Sequence, residues 1–259
     1  MRLDLYLRCY LGVPSREKAQ EMIQQGMVLV DGQECRKNSF DVSEFMSVVL
    51  TGALKYVSRG GQKLECALDT FEIDPTGLRV LDVGASTGGF TDCLLQRGAT
   101  EVFALDVGHC QLAPSLRANP RVRSFEGTHI RDAKSVLPNS VDLLTCDVSF
   151  ISLTQVISYF PSLLCGQDPR AILLIKPQFE VRHKKSVVRD PKLHRWAITE
   201  VLTCAREQGF VCRGLIPSPI RGEEGNTEYL LYLGLHGLDF FPDISAVVFS
   251  ALEKKEEEK

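Results

Sequence analysis

Apolar positions follow two different rhythms along the chain. Near the N-terminus they recur three and four residues apart: Leu3, Leu7, Tyr10 and Leu11 predict a helix with one buried face, which Gly12-Val13-Pro14 stops. Ser15 is then a good N-cap for a second helix, with Ala19, Met22 and Ile23 on one face and Gly26 as its breaker. A short strand from Met27 to Val30 leads into Asp31-Gly32, a dipeptide that favours a tight hairpin turn. The stretch 51–62, TGALKYVSRGGQ, has little periodicity and reads as a linker.

From Lys63 the rhythm changes to short apolar runs alternating with amphipathic helices, the pattern of a parallel sheet with helical crossovers. The runs Arg79–Gly84, Glu101–Val107, Val122–Glu126, Val141–Val148, Ala171–Lys176, Phe210–Ile216 and Glu228–Leu235 are the expected strands. Pro217, Pro219 and a glycine-rich stretch separate the last two with no room for a helix, which predicts five parallel strands closed by an antiparallel pair. The expected division is a small α+β domain at 1–50, a linker at 51–62, an α/β domain at 63–252 and a charged, frayed tail at 253–259.

Composition narrows the class. With 44% apolar and 24% charged residues among 259, a sizeable core is available and global disorder is excluded. Thirty Lys and Arg against 33 Asp and Glu leave a net charge of -3, split as +1 over 1–62, -3 over 63–252 and -1 in the tail. Neither domain is basic enough to hold nucleic acid by bulk charge, so any such contact must use local patches. The nine cysteines include no C-x-x-C pair, which disfavours a zinc ribbon, and their odd number disfavours a closed disulfide framework. Cys66, Cys93, Cys146, Cys165 and Cys204 lie in apolar patterns and are expected as reduced core residues. Asp4 and Arg8 interrupt the first apolar run, and no window approaches a membrane span, so a cytoplasmic protein that does not engage membranes is expected. The histidines show no ligand spacing and no metal is expected; Trp196 is expected in the core.

Two constellations carry candidate chemistry. RVLDVGASTGGF joins an apolar strand, Asp82, and a turn containing Gly84, Gly88 and Gly89, with the spacing G-x-x-x-G-G instead of that of a dinucleotide site. Asp106 ends the next strand, where a carboxylate can accept both hydroxyls of a ribose. A ribose without a pyrophosphate fits S-adenosylmethionine, and hence a Rossmann-like methyltransferase fold. Separately, Asp147, Lys176 and Glu228 are charged residues at the ends of apolar strands, where catalytic groups of this architecture sit, and Lys63 precedes the whole sheet in SRGGQKL. A hydroxyl is a weak nucleophile at neutral pH, and methylating it calls for a nearby proton acceptor. Lys176 is the candidate base, Asp147 and Glu228 would orient it and the hydroxyl, and Lys63 would supply a second cation to lower its pKa.

The stretches YVSRGGQKLECAL, DVGASTGGFTDCLL, ALDVGHCQL, CDVSFISL, LIKPQFE, VVRDP and SPIRGEEGNTEYL resemble, in order, the TlyA-type rRNA 2′-O-methyltransferases, a family also called haemolysin A. RLDLYL, SREKAQEMIQQG and VLVDGQ resemble the small RNA-binding domain of the ribosomal protein S-four type. The resemblance implies S-adenosylmethionine-dependent methylation of the cytidine 2′-hydroxyl in small-subunit rRNA by a domain like the heat-shock methyltransferase, and leaves open whether large-subunit rRNA is also a substrate. It places the family's Lys-Asp-Lys-Glu tetrad on Lys63, Asp147, Lys176 and Glu228. Its cofactor segment falls on Gly84, Ser86, Thr87, Gly88, Gly89 and Phe90, with Asp82 and Asp106 beside it and His129 and Ile130 near the adenine. Ribosomal RNA or ribosomal subunits become the expected partner, with Arg2, Arg16, Lys18, Arg36, Lys37 and Arg59 as candidate contacts. The loop carrying Lys184, Lys185 and Arg189 is a second candidate. Phe150 is expected in the core, with stacking on an extruded base as the alternative. His109-Cys110-Gln111-Leu112 replaces the usual Tyr-Gly-Gln-Leu and Thr128-His129-Ile130-Arg131 the usual Thr-Asn-Ile-Arg; RHKKSVVRD lacks the usual glycines. These departures bear on cofactor contacts and substrate choice. The competing functions are a membrane-active haemolysin and a non-catalytic ribosome-assembly protein.

Overall fold

The computed structural model describes residues 1–181, 187–222 and 224–253. The chain forms two compact units that divide between Arg59 and Gly60.

In the first unit α1 (Leu3–Tyr10) and α2 (Arg16–Gln24) precede β1 (Val28–Val30), β2 (Gln33–Glu34) and β3 (Val48–Leu50). Ser15 Oγ accepts the Lys18 N–H and caps α2, and Leu3, Leu7, Ala19, Met22 and Ile23 fill the core between the helices. Asp31 and Gly32 both have positive φ, 51° and 78°, the conformation the hairpin turn from β1 to β2 demands. Two expectations need correction. Tyr10 and Leu11 lie outside the core: Tyr10 is exposed and packs on Tyr6, one turn earlier, at 5.0 Å between ring centroids. And β1 also pairs with β3, a strand absent from the periodicity reading, so the sheet order is β2-β1-β3.

The second unit opens with α3 (Gly60–Thr70), so residues 60–62 of the expected linker are helical. There follow β4 (Arg79–Val83), α4 (Gly89–Gln96), β5 (Glu101–Leu105), α5 (Pro114–Arg117), β6 (Val122–Phe125), α6 (Ala133–Val136) and β7 (Leu143–Cys146). After them come β8 (Arg170–Ile175), α7 (Pro177–Glu180), α8 (Pro191–Glu207), β9 (Val211–Pro217), β10 (Tyr229–Gly234) and α9 (Ile244–Glu253). The sheet order is β6-β5-β4-β7-β8-β10-β9. The chain order reverses between β4 and β7, the crevice where open α/β sheets take their ligands. The expected antiparallel pair needs refining: β10 is antiparallel to both β8 and β9, so it alone reverses and sits between them. That insertion matters for the site, because the N-terminal end of β10 meets the carboxyl end of β8, with Tyr229 opposite Ile175.

Leu81, Phe103, Leu144, Phe160, Leu173, Val201 and Leu231 are among the residues of the main core. Trp196 is not: it is 47% exposed on α8, whose buried face is formed by His194, Ala197, Ile198, Val201, Leu202 and Ala205. All nine cysteines are free; Cys93 and Cys146 are buried as expected, whereas Cys66, Cys165 and Cys204 are only half-buried.

Candidate active site

The carboxyl edge of the sheet collects the charged residues that end its strands. In-register pairing aligns Val83 with Cys146, placing the turn after β4 beside Asp147, the residue after β7. Lys176 directly follows β8 and Glu228 directly precedes β10, so only the reversed direction of β10 puts Glu228 on this edge. Lys63 comes from the buried face of α3.

The four side chains form two ion pairs. Lys63 Nζ donates to Glu228 Oε2 at 2.6 Å, and Lys176 Nζ meets Asp147 Oδ1 at 2.6 Å. Lys63, Lys176 and Glu228 are buried. Lys176 Nζ also donates to Ser149 Oγ at 2.8 Å. Burial acts most strongly on Lys176 and disfavours its charge, but Asp147 and Glu228 together more than offset this, so its pKa lies above the ordinary lysine value. The expected lowering by Lys63 is not realised, because the Lys63 charge is compensated by Glu228 at contact distance.

Gly222 makes the Glu228 position feasible: a Cβ there would lie 2.5 Å from Glu228 Oε1. Asn226 and Thr227 are buried beside it, and Asn226 Oδ1 accepts the Val188 N–H at 3.0 Å. Neither Gly222 nor Ser149 was singled out by the sequence; the short spacings to Glu228 and Asp147 were the available signal.

The glycine turn is a cradle with no space for side chains. Gly84 has φ 79°, and a Cβ on it would lie 2.6 Å from the Asp147 carbonyl oxygen. Gly88, at φ 95°, caps α4 where a Cβ would meet Leu116 at 2.3 Å. Ser86 takes φ 48° and donates its N–H to Asp106 Oδ2 at 2.8 Å, while Gly108 N–H donates to Asp106 Oδ1 at 2.7 Å. Each carboxylate oxygen retains a further lone pair for a ligand. Ser86, Asp106, Gly108, Gln111, Leu112 and Glu126 line a narrow cleft. Of its two carboxylates Glu126 is paired with Arg117 at 2.9 Å, which leaves Asp106 as the acceptor facing a ligand's hydroxyls.

Several expected cofactor contacts are relocated. Asp82 is fully buried inside β4, accepting the Thr91 hydroxyl at 2.7 Å and the Thr145 hydroxyl at 2.9 Å, so it braces the turn from beneath. Burial pushes its pKa up to about 6 against those two bonds, and the Asp147 charge adds to the rise. Gly88, Gly89 and Phe90 are buried, leaving Gly84, Ser86 and Thr87 as the open part of the turn. The Ile130 side chain belongs to the core, and His129 Nδ1 accepts the Arg131 N–H to cap the turn at 130–132. His109 packs over Gly127, where a Cβ would lie 2.3 Å from its ring.

Phe150 overturns its core assignment. It is 91% exposed at φ 65°, three residues past Asp147, and its ring packs on Phe179 at 5.2 Å between centroids. The Lys176 ammonium lies 5.9 Å from the Phe179 ring centroid.

In the first unit the expected RNA contacts are partly committed internally. Arg2 and Arg16 both pair with buried Asp4 at 2.9 Å, each remaining 44% exposed. Arg36 pairs with Glu34 and donates to Gln24 O at 3.3 Å. Lys37 and Arg189 are exposed, and Lys18 and Arg59 half-exposed. Lys184 and Lys185 lie outside the described residues. Among the described residues no group of three or more His, Cys, Asp or Glu converges as a metal site, and no helix is long and apolar enough to cross a membrane.

A parallel sheet with one reversed strand, a glycine cradle at its switch point and a lysine–carboxylate cluster on the same edge define a methyltransferase-type α/β domain. Residues 56–235 match the model of the FtsJ-like methyltransferase family and residues 1–48 that of the S4 domain; the chain belongs to the FtsJ-like methyltransferases. It is 42% identical over 228 residues, 85% of this chain and 84% of the relative, to the 16S/23S rRNA (cytidine-2′-O)-methyltransferase TlyA of Mycobacterium tuberculosis. It is 38% identical to Hemolysin A of Brachyspira hyodysenteriae, over 90% of this chain and 99% of that one. A solved structure from Streptococcus thermophilus that carries the hemolysin name covers all of this chain and 98% of its own at 35% identity, with a TM-score of 0.77.

Proposed function

We propose that the protein methylates the 2′-hydroxyl of a cytidine in ribosomal RNA, using S-adenosylmethionine, and works in the cytoplasm. The observation that carries this reading is the buried pair of ion pairs, Lys176–Asp147 and Lys63–Glu228, on the same sheet edge as the glycine cradle. Two relatives, 42% and 38% identical, that carry this chemistry in their names support the substrate.

The residues fit the cofactor: Asp106 would hold the ribose hydroxyls, and Gly84 and Ser86 would let the chain approach closely. The bound cofactor supplies a methyl group on a sulfonium. The chain must orient the hydroxyl and take its proton. Asp147 accepts a hydrogen bond from the incoming hydroxyl, and Lys176, having lost its own proton to solvent beforehand, takes the hydroxyl's and returns to the ammonium. The raised pKa of Lys176 holds it as an ammonium in the free enzyme, so the active fraction grows about tenfold per pH unit below that pKa. Lys63 and Glu228 hold a neutral, dry wall around the pair. Phe150 and Phe179 offer an aromatic face for a base turned out of its stack, which frees the 2′-hydroxyl. The basic residues of the first unit contact phosphates.

The test is incubation of the purified protein with ribosomal subunits and methyl-labelled S-adenosylmethionine, followed by digestion to nucleosides. Label in 2′-O-methylcytidine is expected. Label in a base, or none, overturns the reading.

A further inference from the structure

Phe150 holds an exposed ring on a left-handed backbone, a combination that lasts only where neighbouring contacts over-determine it. Those contacts come from one short segment. On one side Ser149 Oγ accepts from Lys176 Nζ at 2.8 Å. On the other, the Ser152 hydroxyl donates to Glu180 Oε2 and the Leu153 N–H to Glu180 Oε1 at 3.0 Å. Between these ties the Phe150 ring rests on Phe179. Lys176, Phe179 and Glu180 all belong to α7 or its N-cap, so a single turn of helix grips residues 149–153 at three points.

Glu180 is 7% exposed, and burial pushes its pKa up against the two bonds it accepts. A buried carboxylate held by a hydroxyl and an amide is a costly device for stability alone. We propose that Glu180 is a positioning residue for methyl transfer: its carboxylate latches residues 149–153 to α7 and so keeps Ser149 and Phe150 in place beside Lys176. This rests on the reading of Lys176 and Phe150 given above.

Full-length Glu180→Leu, Glu180→Gln, Phe150→Ala and the Glu180→Leu/Phe150→Ala double variant test it, with methyl transfer to ribosomal subunits and hydrogen exchange across residues 149–154 as readouts. Glu180→Leu should lower kcat by about 10- to 100-fold, the scale of a small misplacement, with the KM for S-adenosylmethionine unchanged. Glu180→Gln should stay within about threefold of wild type, because its oxygen still accepts from Leu153 while the Ser152 hydroxyl turns to Thr154 Oγ1, 2.6 Å away. The double variant should be no worse than the more impaired of the two single variants, since both changes disable the same element. Exchange at 149–154 should rise in Glu180→Leu. If that variant does not fold, Ser152→Ala removes one of the two ties from the opposite side and leaves the Leu153 bond, so it should act in the same direction to a smaller extent, with faster exchange at 149–154. A Glu180→Leu enzyme with wild-type kcat, a Gln variant as impaired as Leu, or losses that multiply in the double variant would overturn the latch. Should the wild-type protein transfer no methyl to rRNA, the functional reading fails and exchange alone decides: unchanged protection at 149–154 in Glu180→Leu then rejects the latch.

Discussion

Both units build an ion cluster around buried carboxylates, and the two clusters are built for opposite ends. In the N-terminal unit one carboxylate, Asp4, is fully buried and receives Arg2, Arg16, Gln20 and the Leu5 N–H. Cations outnumber the anion, and the two guanidinium groups remain partly in water. In the catalytic unit two lysines face two carboxylates one to one, with three of the four side chains buried. The choice of cation follows. Arginine never releases its proton, so a fork of arginines on a buried aspartate offers permanent positive charge to phosphates. Lysine releases its proton when its surroundings permit, which suits a site that must accept one. On the proposed function, the difference gives a chain with net charge -3 a place to meet RNA: its positive charge is local at one place and internally cancelled at the other.

Removing one cation from the matched cluster should do the greatest damage. Lys63→Ala strands Glu228 as a buried, unpaired charge, at a cost of about 3–5 kcal/mol in the stability of the catalytic unit. Guanidinium denaturation of the full chain measures it, and a change under about 1 kcal/mol would break the contrast, placing Lys63 with ordinary surface pairs. In the surplus cluster Asp4→Ala should loosen α1 by about 1–3 kcal/mol, read as faster hydrogen exchange at residues 3–10, while the kcat for methyl transfer stays near normal. Interactions with the arginines and Gln20 hold the Asp4 carboxyl well below its ordinary range. Its contribution is therefore fully present above about pH 4 and is lost only as pH falls through that depressed value. The smallest effect belongs to the exposed side of the fork: Arg16→Ala should weaken RNA binding a few-fold and reduce the slope of log affinity against log salt by about 1. An unchanged slope would show that this guanidinium serves Asp4 alone.

The two clusters were unequally legible in the sequence. Asp147, Lys176 and Glu228 stand out because a charge at the end of an apolar strand breaks the burial pattern, whereas Lys63 lies on α3, ahead of the sheet. Asp4 breaks a pattern too, but its partners Arg16 and Gln20 lie 12 and 16 residues away on another helix, so it read only as an interruption. Asp82 was assigned to the ligand because a carboxylate in an apolar strand beside a glycine turn read as a binding group; its partners Thr91 and Thr145, 9 and 63 residues away, satisfy it in the interior instead. Phe150 was placed in the core because an aromatic after a strand usually packs there, and only its left-handed backbone turns it outward. Glu180 escaped notice because its partners, Ser152 and Leu153, are 28 and 27 residues back in the sequence. Strand order was half legible: the hairpin of β9 and β10 followed from the missing helix, but its insertion with β10 innermost depends on pairing that periodicity does not encode.

The central claim is that Lys176 takes the proton of the substrate hydroxyl. The most direct measurement is the single-turnover rate of methyl transfer to ribosomal subunits from pH 6 to about pH 10, for wild type and Lys176→Ala at saturating S-adenosylmethionine. The account predicts a wild-type rate that is still climbing at the alkaline end, because the Asp147 and Glu228 charges hold the Lys176 pKa above its ordinary value. It predicts a variant rate lower by about 10²- to 10⁴-fold with that pH dependence gone and cofactor affinity unchanged. A Lys176→Ala enzyme that keeps the wild-type rate and the same pH profile would contradict it.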